Sequence, residues 1–363
     1  MNLLATAPFP IRVLIADDSA FMREVLSRAV ESAPSLQVCG TARHGVETLE
    51  KIRELQPDVV TLDIEMPELN GIEVLKRIMK DFPRPVIMVS AFTQPGAEVT
   101  AEALAIGAFD YLSKVNSGHR VDPRKLSREL VAKIEAAAQS PLIRRVESIQ
   151  ASMLPDLAKG NTAKKLDVVP AIIALGTSTG GPKALQEIVP ELPADLPAGM
   201  IVVQHMPPGF TGPLAKRLNS ISEIEVREAE HGDIVEPGRV YIARAGRHIR
   251  VERNAQSKTT ISVSDQPLGT MHTPSADVLM LSVAALFGRY SLGIILTGMG
   301  VDGLQGMTAI HQAGGITIGQ DEATSLVYGM PRACAEGGVL QRVIPLSQIS
   351  TEITQALRYT PRN

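Results

Sequence analysis

Residues 171–189 read AIIALGTSTGGPKALQEIV, an apolar strand that turns through glycines into an amphipathic helix with Ser178 at the bend. The segment Gly176–Gly180 spells G-x-S-x-G, whose small residues permit a tight strand-to-helix turn that pushes the serine hydroxyl toward solvent. The helix that follows adds backbone N–H groups and a positive dipole end, which favour charge developing on an attacked carbonyl. Ser178 is therefore a candidate nucleophile. A strand followed by a Gly/Ser turn also occurs in nucleotide-binding folds, so the pattern does not decide the chemistry by itself.

Composition frames this run. The chain has 363 residues, 44% hydrophobic and 21% charged, with a net charge of −3, which suits a soluble α/β protein of two or three domains. Cys39 and Cys334 are the only cysteines, so neither a disulfide framework nor a Cys-rich metal site is indicated. No apolar stretch approaches the roughly 20 residues of a membrane span, and MNLLATAPFPIR lacks the basic start of a secretion signal. The mild acidity, with no basic and aromatic cluster to offset it, speaks against nucleic acid as a partner. A globular, monomeric, cytoplasmic protein with no membrane insertion is expected.

The chain reads as two doubly wound parallel-sheet α/β domains joined by a linker, with boundaries at 1–138, 139–168 and 169–363. In the first, strands are expected at Ile11–Ala16, Leu36–Ala42, Val59–Leu62, Val86–Ser90 and Phe109–Leu112. Intervening helices carry apolar faces such as Met22, Leu26, Ala29 and Val30, or Ile72, Leu75 and Ile78. A last helix, Pro123–Ala138, closes the unit. Such an open sheet places ligands at the carboxyl ends of its strands.

Polar residues fall on those ends. Asp17 and Asp18 follow the first strand, Asp63 the third, Ser90 ends the fourth and Lys114 follows the fifth. Three packed carboxylates repel one another unless a cation sits among them, and hard oxygen ligands with room for water suit Mg²⁺. This is a metal-assisted phosphate site, with Asp63 accepting a phosphoryl group, Asp17 and Asp18 holding the ion, Ser90 donating to a phosphate oxygen and Lys114 neutralising charge.

The segments VLIADDSAFMR, VTLDIEMPELNGIEVL, IMVSAF and GAFDYLSK closely resemble the flavodoxin-like receiver domain of two-component response regulators. That resemblance implies phosphotransfer from a histidine kinase to Asp63, a metal shell completed by the backbone carbonyl of Glu65, and an aromatic switch at Tyr111. Receivers usually carry proline directly after the lysine, whereas Val115 follows Lys114 here. The arrangement of that loop is left open.

The second half repeats the alternation. Gly199–Gln204 is a strand ending at His205, Val240–Ala243 and Ile249–Glu252 resemble a hairpin, and Leu292–Thr297 ends in TGMGVDG. Ser178, His205 and Asp302 each lie past a strand's carboxyl end, where they form a nucleophile, base and orienter. The order Ser, His, Asp is not the α/β-hydrolase order. Alternatives stay open on the residues alone. His44, His119 and His311 read as surface residues, but His231, His248 and His272 compete with His205 as base, and Asp277 and Asp321 with Asp302 as orienter. Gly298–Gly303 also matches G-x-G-x-x-G after a strand, with Asp321 about 20 residues on, as a dinucleotide fingerprint requires. Against that, Asp302 sits where a pyrophosphate would approach. Gly176–Lys183 is a poorer phosphate loop, because Pro182 intervenes.

GTSTGGPKAL, VVQHMPPGFT, the HGD turn at His231, HTPSADVLMLSVA, LTGMGVDG and YGMPRACAEGG together resemble the Rossmann-like catalytic domain of the chemotaxis protein-glutamate methylesterases, the CheB family, from Ala171 to about Arg342. The resemblance implies a triad of Ser178, His205 and Asp302, with Thr179 beside the nucleophile and Met299 near the oxyanion, and no cofactor in this half. It implies methyl-glutamate side chains of chemoreceptors as substrates, with glutamine deamidation as a second activity. It further implies that the unphosphorylated receiver covers the esterase cleft.

Overall fold

Contacts divide the chain into two compact units at Met153 and Leu154. The computed structural model describes residues 10–90, 99–100, 102–104, 106–114, 123–139, 169–267 and 269–358. The expected linker 139–168 lies outside the described residues except for Gln139, as do Val115 and His119.

The first unit is built from βα repeats whose helices are capped by their own leading residues. Strand β1 (Ile11–Ala16) leads to α1 (Ala20–Glu31), where Ser19 accepts from the Met22 amide. Then come β2 (Leu36–Ala42) and α2 (Gly45–Leu55), capped by His44, and β3 (Val59–Asp63) and α3 (Gly71–Asp81), capped by Asn70. These side chains take up amides that the first helical turn cannot satisfy internally. Strands β4 (Val86–Ser90) and β5 (Asp110–Ser113) and helix α4 (Pro123–Ala138) complete the described part. The sheet is parallel throughout, in the order β2-β1-β3-β4-β5. Every residue of β3 is buried, as a central strand covered on both faces must be. Three boundaries move by one residue: Asp63 is the last residue of β3 rather than the first after it, and the last strand runs Asp110–Ser113 rather than Phe109–Leu112.

The second unit runs β6 (Ile172–Thr177), α5 (Gly181–Ile188), β7 (Gly199–Gln204), α6 (Thr211–Ile221), β8 (Glu225–Glu228) and β9 (Arg239–Ile242). It continues with β10 (His248–Arg253), β11 (Thr259–Ser264), α7 (Ala276–Phe287), β12 (Ser291–Ile295), α8 (Leu304–Gln312), β13 (Ile316–Gln320), α9 (Met330–Glu336), β14 (Arg342–Ile344) and α10 (Leu346–Ala356). Its main sheet is parallel, in the order β14-β13-β12-β6-β7-β9-β8. The core joins Ile172 and Ala174 of β6 to Leu279, Met280 and Val283 of α7 and to Met307 and Ile310 of α8, all fully buried. From the central β6 the chain first builds outward through β7 and later returns to β12 on the other side. This reversal opens a crevice at the carboxyl ends of β6, β7 and β12.

One expectation fails. Val240–Ala243 and Ile249–Glu252 do not pair as a hairpin. The first belongs to β9, parallel between β7 and β8, while the second, in β10, pairs antiparallel with β11. The short Asn254–Ser257 turn, closed by Ser257 N donating to Asn254 O at 2.9 Å, brings β11 back onto β10 before any longer closure is needed. Among the described residues, no helix is long and apolar enough to cross a membrane.

Candidate functional sites

In the first unit, β1 and β3 are hydrogen-bonded neighbours with Ala16 opposite Leu62, so Asp17 and Asp63 emerge side by side. Carboxylate oxygens of Asp17, Asp18 and Asp63 all lie within 4.8 Å of one another, the first and last buried and Asp18 exposed. Lys114 reaches in from the end of β5, with Nζ 2.9 Å from Asp17 Oδ2 and 2.7 Å from Asp63 Oδ2. The loops are tied from within. Ser19 N donates to Asp17 Oδ1 at 2.9 Å, and Arg23 donates to the carbonyls of Asp17 and Asp18. Glu65 N donates to Asp63 Oδ1 at 3.4 Å. Burial pushes the Asp63 carboxyl up to about 6, Lys114 pulling against it and Asp17 adding to the rise. Burial also works against the Lys114 ammonium, but its two carboxylates overcome it and raise its pKa. One ammonium facing three carboxylates leaves negative charge uncompensated, and an all-oxygen donor set of this kind fits a small divalent cation. Ser90 closes β4 with its backbone opposite Ser113; its side chain lies outside the described residues. Tyr111 is buried on β5, with Lys133 Nζ 5.3 Å from its ring centre.

In the second unit, Thr177 stands opposite Gln204 across β6 and β7, so Ser178 and His205 open two adjoining loops. Two buried side chains that the motifs did not single out stitch these loops together. Gln204 donates its amide hydrogens to the carbonyls of Ser178 and His205, both at 3.0 Å. Thr297 accepts from Ser178 N through its carbonyl at 3.1 Å and donates its hydroxyl to Thr179 O at 2.9 Å. Gly180, at φ +83°, lets the chain turn into α5. Gly298 packs on the nucleophile loop so closely that a Cβ there would fall 2.8 Å from Ser178 Cβ. Met299 is the next residue in the chain.

Asp302 lies in the loop between β12 and α8. Its Oδ2 is 2.7 Å from His205 Nε2 and accepts from Ala276 N at 2.7 Å; its Oδ1 accepts from Ser275 Oγ at 2.8 Å and Asp277 N at 3.2 Å. The carboxylate thus sits on the N-terminus of α7, where free amides and the helix dipole favour an anion. Burial opposes its ionisation, but the His205 bond, followed by Ser275 and Ala276, overcomes it and holds Asp302 well below the ordinary carboxylate range. His205 Nε2 therefore carries the proton in that bond. Nδ1, on the other edge of the ring, is buried and has no hydrogen-bond partner, so the expected contact between imidazole and carboxylate is made while one from Ser178 is not. Hydrogen bonds to a nucleophile are often long until substrate is bound.

The rival residues find other work. Asp277 accepts from Gly306 N at 2.8 Å and ties α7 to α8. Asp321 accepts from the amide and hydroxyl of Thr324, a local turn rather than a ribose contact. His231 accepts from Val263 N at 3.2 Å, and His248, buried on β10, bonds Thr270 at 3.0 Å. His44 is half-buried at its helix cap. His272 stacks on His205, with ring centres 4.0 Å apart; it stood among the competing bases, and no local pattern marked it as their neighbour.

Together the two folds and sites define a response-regulator receiver fused to a hydrolase-type α/β unit. The family description for CheB methylesterase matches residues 173–353, and that for the response regulator receiver domain matches residues 13–122. The protein-glutamate methylesterase/protein-glutamine glutaminase of Pyrococcus abyssi is 46% identical over 96% of this chain and 94% of its own. A protein of the same name, with the suffix 1, from Oleidesulfovibrio alaskensis is 41% identical over 96% and 99%. The crystal structure of the Thermotoga maritima CheB methylesterase catalytic domain covers 52% of this chain and 99% of its own, at 38% identity and a TM-score of 0.50. The chain belongs to the protein-glutamate methylesterase/protein-glutamine glutaminase (CheB) family.

Proposed function

We propose that residues 169–363 are a serine esterase that hydrolyses glutamate γ-methyl esters on chemoreceptors, releasing methanol, and that deamidates receptor glutamines by the same route. Ser178 Oγ attacks the ester carbonyl, and its proton passes to His205 at Nδ1, the edge left open once Nε2 is committed to Asp302. Asp302 fixes the tautomer and stabilises the imidazolium. Backbone amides at Thr179 and Met299 face the developing oxyanion. The imidazolium then returns the proton to the leaving methoxide, the acyl-enzyme is hydrolysed by water with His205 again as base, and Ser178 is restored. The reaction needs no cofactor in this unit. The observation that supports this reading best is the 2.7 Å bond from His205 Nε2 to Asp302 Oδ2 at the sheet edge where the Ser178 loop begins.

Residues 1–138 act as the regulatory receiver in the same scheme, joined through 139–168. Asp63 accepts a phosphoryl group from a histidine kinase, and Asp17, Asp18, Asp63 and the Glu65 carbonyl would hold Mg²⁺. The ion offsets phosphoryl charge when bound. Ser90 and Lys114 receive the phosphate oxygens, and Tyr111 responds to the change. Phosphorylation raises esterase activity and so serves chemotactic adaptation by a monomeric enzyme in the cytoplasm. A hundredfold activation requires about 2.7 kcal/mol of differential stability between two states.

Methanol release from methylated receptor membranes, with and without a small phosphodonor and Mg²⁺, tests both units. Ser178→Ala is expected to lower turnover by about 10⁴–10⁶. Unchanged turnover in that variant would falsify the esterase assignment, and unchanged activity on phosphorylation would remove the regulatory one.

A further inference from the structure

We infer that His272 is a positioning residue for His205: its ring supports the face of the catalytic imidazole and so keeps Nδ1 aimed at Ser178. The inference rests on the serine-hydrolase reading above. The two rings lie 4.0 Å apart and within 13° of parallel. The bond from Nε2 to Asp302 fixes one edge of the His205 ring, but a ring held at one edge and at Cβ can still tilt. A flat surface against its face removes that freedom.

The segment bearing His272 is itself anchored. Thr273 O accepts from Gly246 N at 3.1 Å, and Thr270 Oγ1 is 3.0 Å from Nε2 of His248, which is buried on β10. Three residues beyond His272, Ser275 donates to Asp302 Oδ1 at 2.8 Å. One short stretch therefore holds both the face of the base and the far oxygen of its carboxylate partner. A group that keeps the base aligned acts while the proton is in flight between Ser178 and His205, so its loss falls on turnover rather than on substrate binding.

The test uses the full chain as wild type, His272→Ala, His272→Leu and His272→Phe. The first readout is the rate at which a fluorophosphonate labels Ser178. There the Oγ–P bond forms, the P–F bond breaks, the serine proton passes to His205 and fluoride leaves. The second is kcat and KM for methanol release from methylated receptor membranes. Ala and Leu are expected to label about tenfold more slowly and to lose kcat in proportion with little change in KM, while Phe, which keeps a ring face, recovers to within about threefold of wild type. If Ala labels at the wild-type rate, if Phe is no faster than Leu, or if only KM moves, the positioning role is wrong. Should Ala fail to fold, the comparison of Phe with Leu still decides. A wild-type chain that is labelled but releases no methanol would overturn the substrate reading and leave the labelling series to judge His272. One that is not labelled at Ser178 would end both.

Discussion

The amide of Asp277 donates to Oδ1 of Asp302 at 3.2 Å, so two carboxyl groups share the first turn of α7 and are driven in opposite directions. Asp302 takes the helix amides and His205 and stays ionised. Asp277 is pushed up to about 6, first by burial and then by the charge of Asp302, while its bond from Gly306 N opposes the rise. The folded chain thus holds a proton on Asp277 that the unfolded chain has released. The stability this contributes is fully present below the unfolded value of 3.8 and is lost as pH rises through about 6. Asp277→Asn keeps an oxygen for Gly306 N and carries no charge. It is expected to stabilise the second unit by on the order of 1 kcal/mol at about pH 8 and to give no gain at about pH 4. Urea unfolding followed by trapping of the Cys334 thiol measures this unit, and an equal gain at both pH values would refute the account.

Cys334 itself is fully buried, and burial pushes its thiol up to about 12. Cys39 is only partly buried, though burial raises its pKa as well. Since the thiolate is the reacting form, alkylation of the native protein near neutral pH is expected at Cys39 alone, with Cys334 modified only on unfolding. Peptide mass spectrometry distinguishes the two sites. Rapid native labelling of Cys334 would mean that α9 opens far more readily than its packing implies.

Gly298 is a position where a single methyl group should separate activity from stability. A Cβ there would lie 2.3 Å from Met330 Sδ, 2.8 Å from Ser178 Cβ and 3.0 Å from Ser178 N. The methionine can swing away, but the Ser178 backbone is held by Thr297 and cannot. Gly298→Ala is expected to cost on the order of 10²-fold in kcat through displacement of the nucleophile and about 1–3 kcal/mol of stability. Gly338, at φ +67° with nothing within 4 Å of its Cβ position, provides the control. Alanine there carries only backbone strain of about 1–2 kcal/mol and should leave turnover unchanged.

What could be read from the sequence follows the range of the interactions concerned. Ser178, His205, Asp17 and Asp63 were legible because each lies at or just past the end of an apolar strand, and parallel neighbours bring such ends together whatever the intervening chain does. The partner of Ile249–Glu252 was not, since alternation marks a strand without naming its neighbour. Strand β14 is only three residues long and gives almost no periodic signal. The stitching by Gln204 and Thr297 and the stack of His272 on His205 depend on side chains distant in sequence that meet only after the sheet has formed. Asp302 occupies an intermediate place: its residue type and loop were visible, but its seat on the N-terminus of α7 was not.

Lys114 and a divalent cation should serve the same carboxylates, which yields a prediction about their interchange. The ammonium lies within 3 Å of both Asp17 and Asp63, and removing it leaves two buried charges without their partner. Lys114→Met is therefore expected to destabilise the first unit by about 3–5 kcal/mol in a chelating buffer. A ligand that binds only the folded state stabilises it in proportion to occupancy. Adding Mg²⁺ should therefore raise the melting temperature of Lys114→Met more than that of the wild type, because the ion meets no competing ammonium and relieves more repulsion. Asp17→Asn and Asp18→Asn should shrink the Mg²⁺ response in both backgrounds by removing donor oxygens and charge. The comparison is made by calorimetry on the full chain, following the transition that responds to the metal. If Mg²⁺ shifts Lys114→Met no more than wild type, the ion and the ammonium do not act on a common set of oxygens, and the phosphate site would have to be built around the lysine alone.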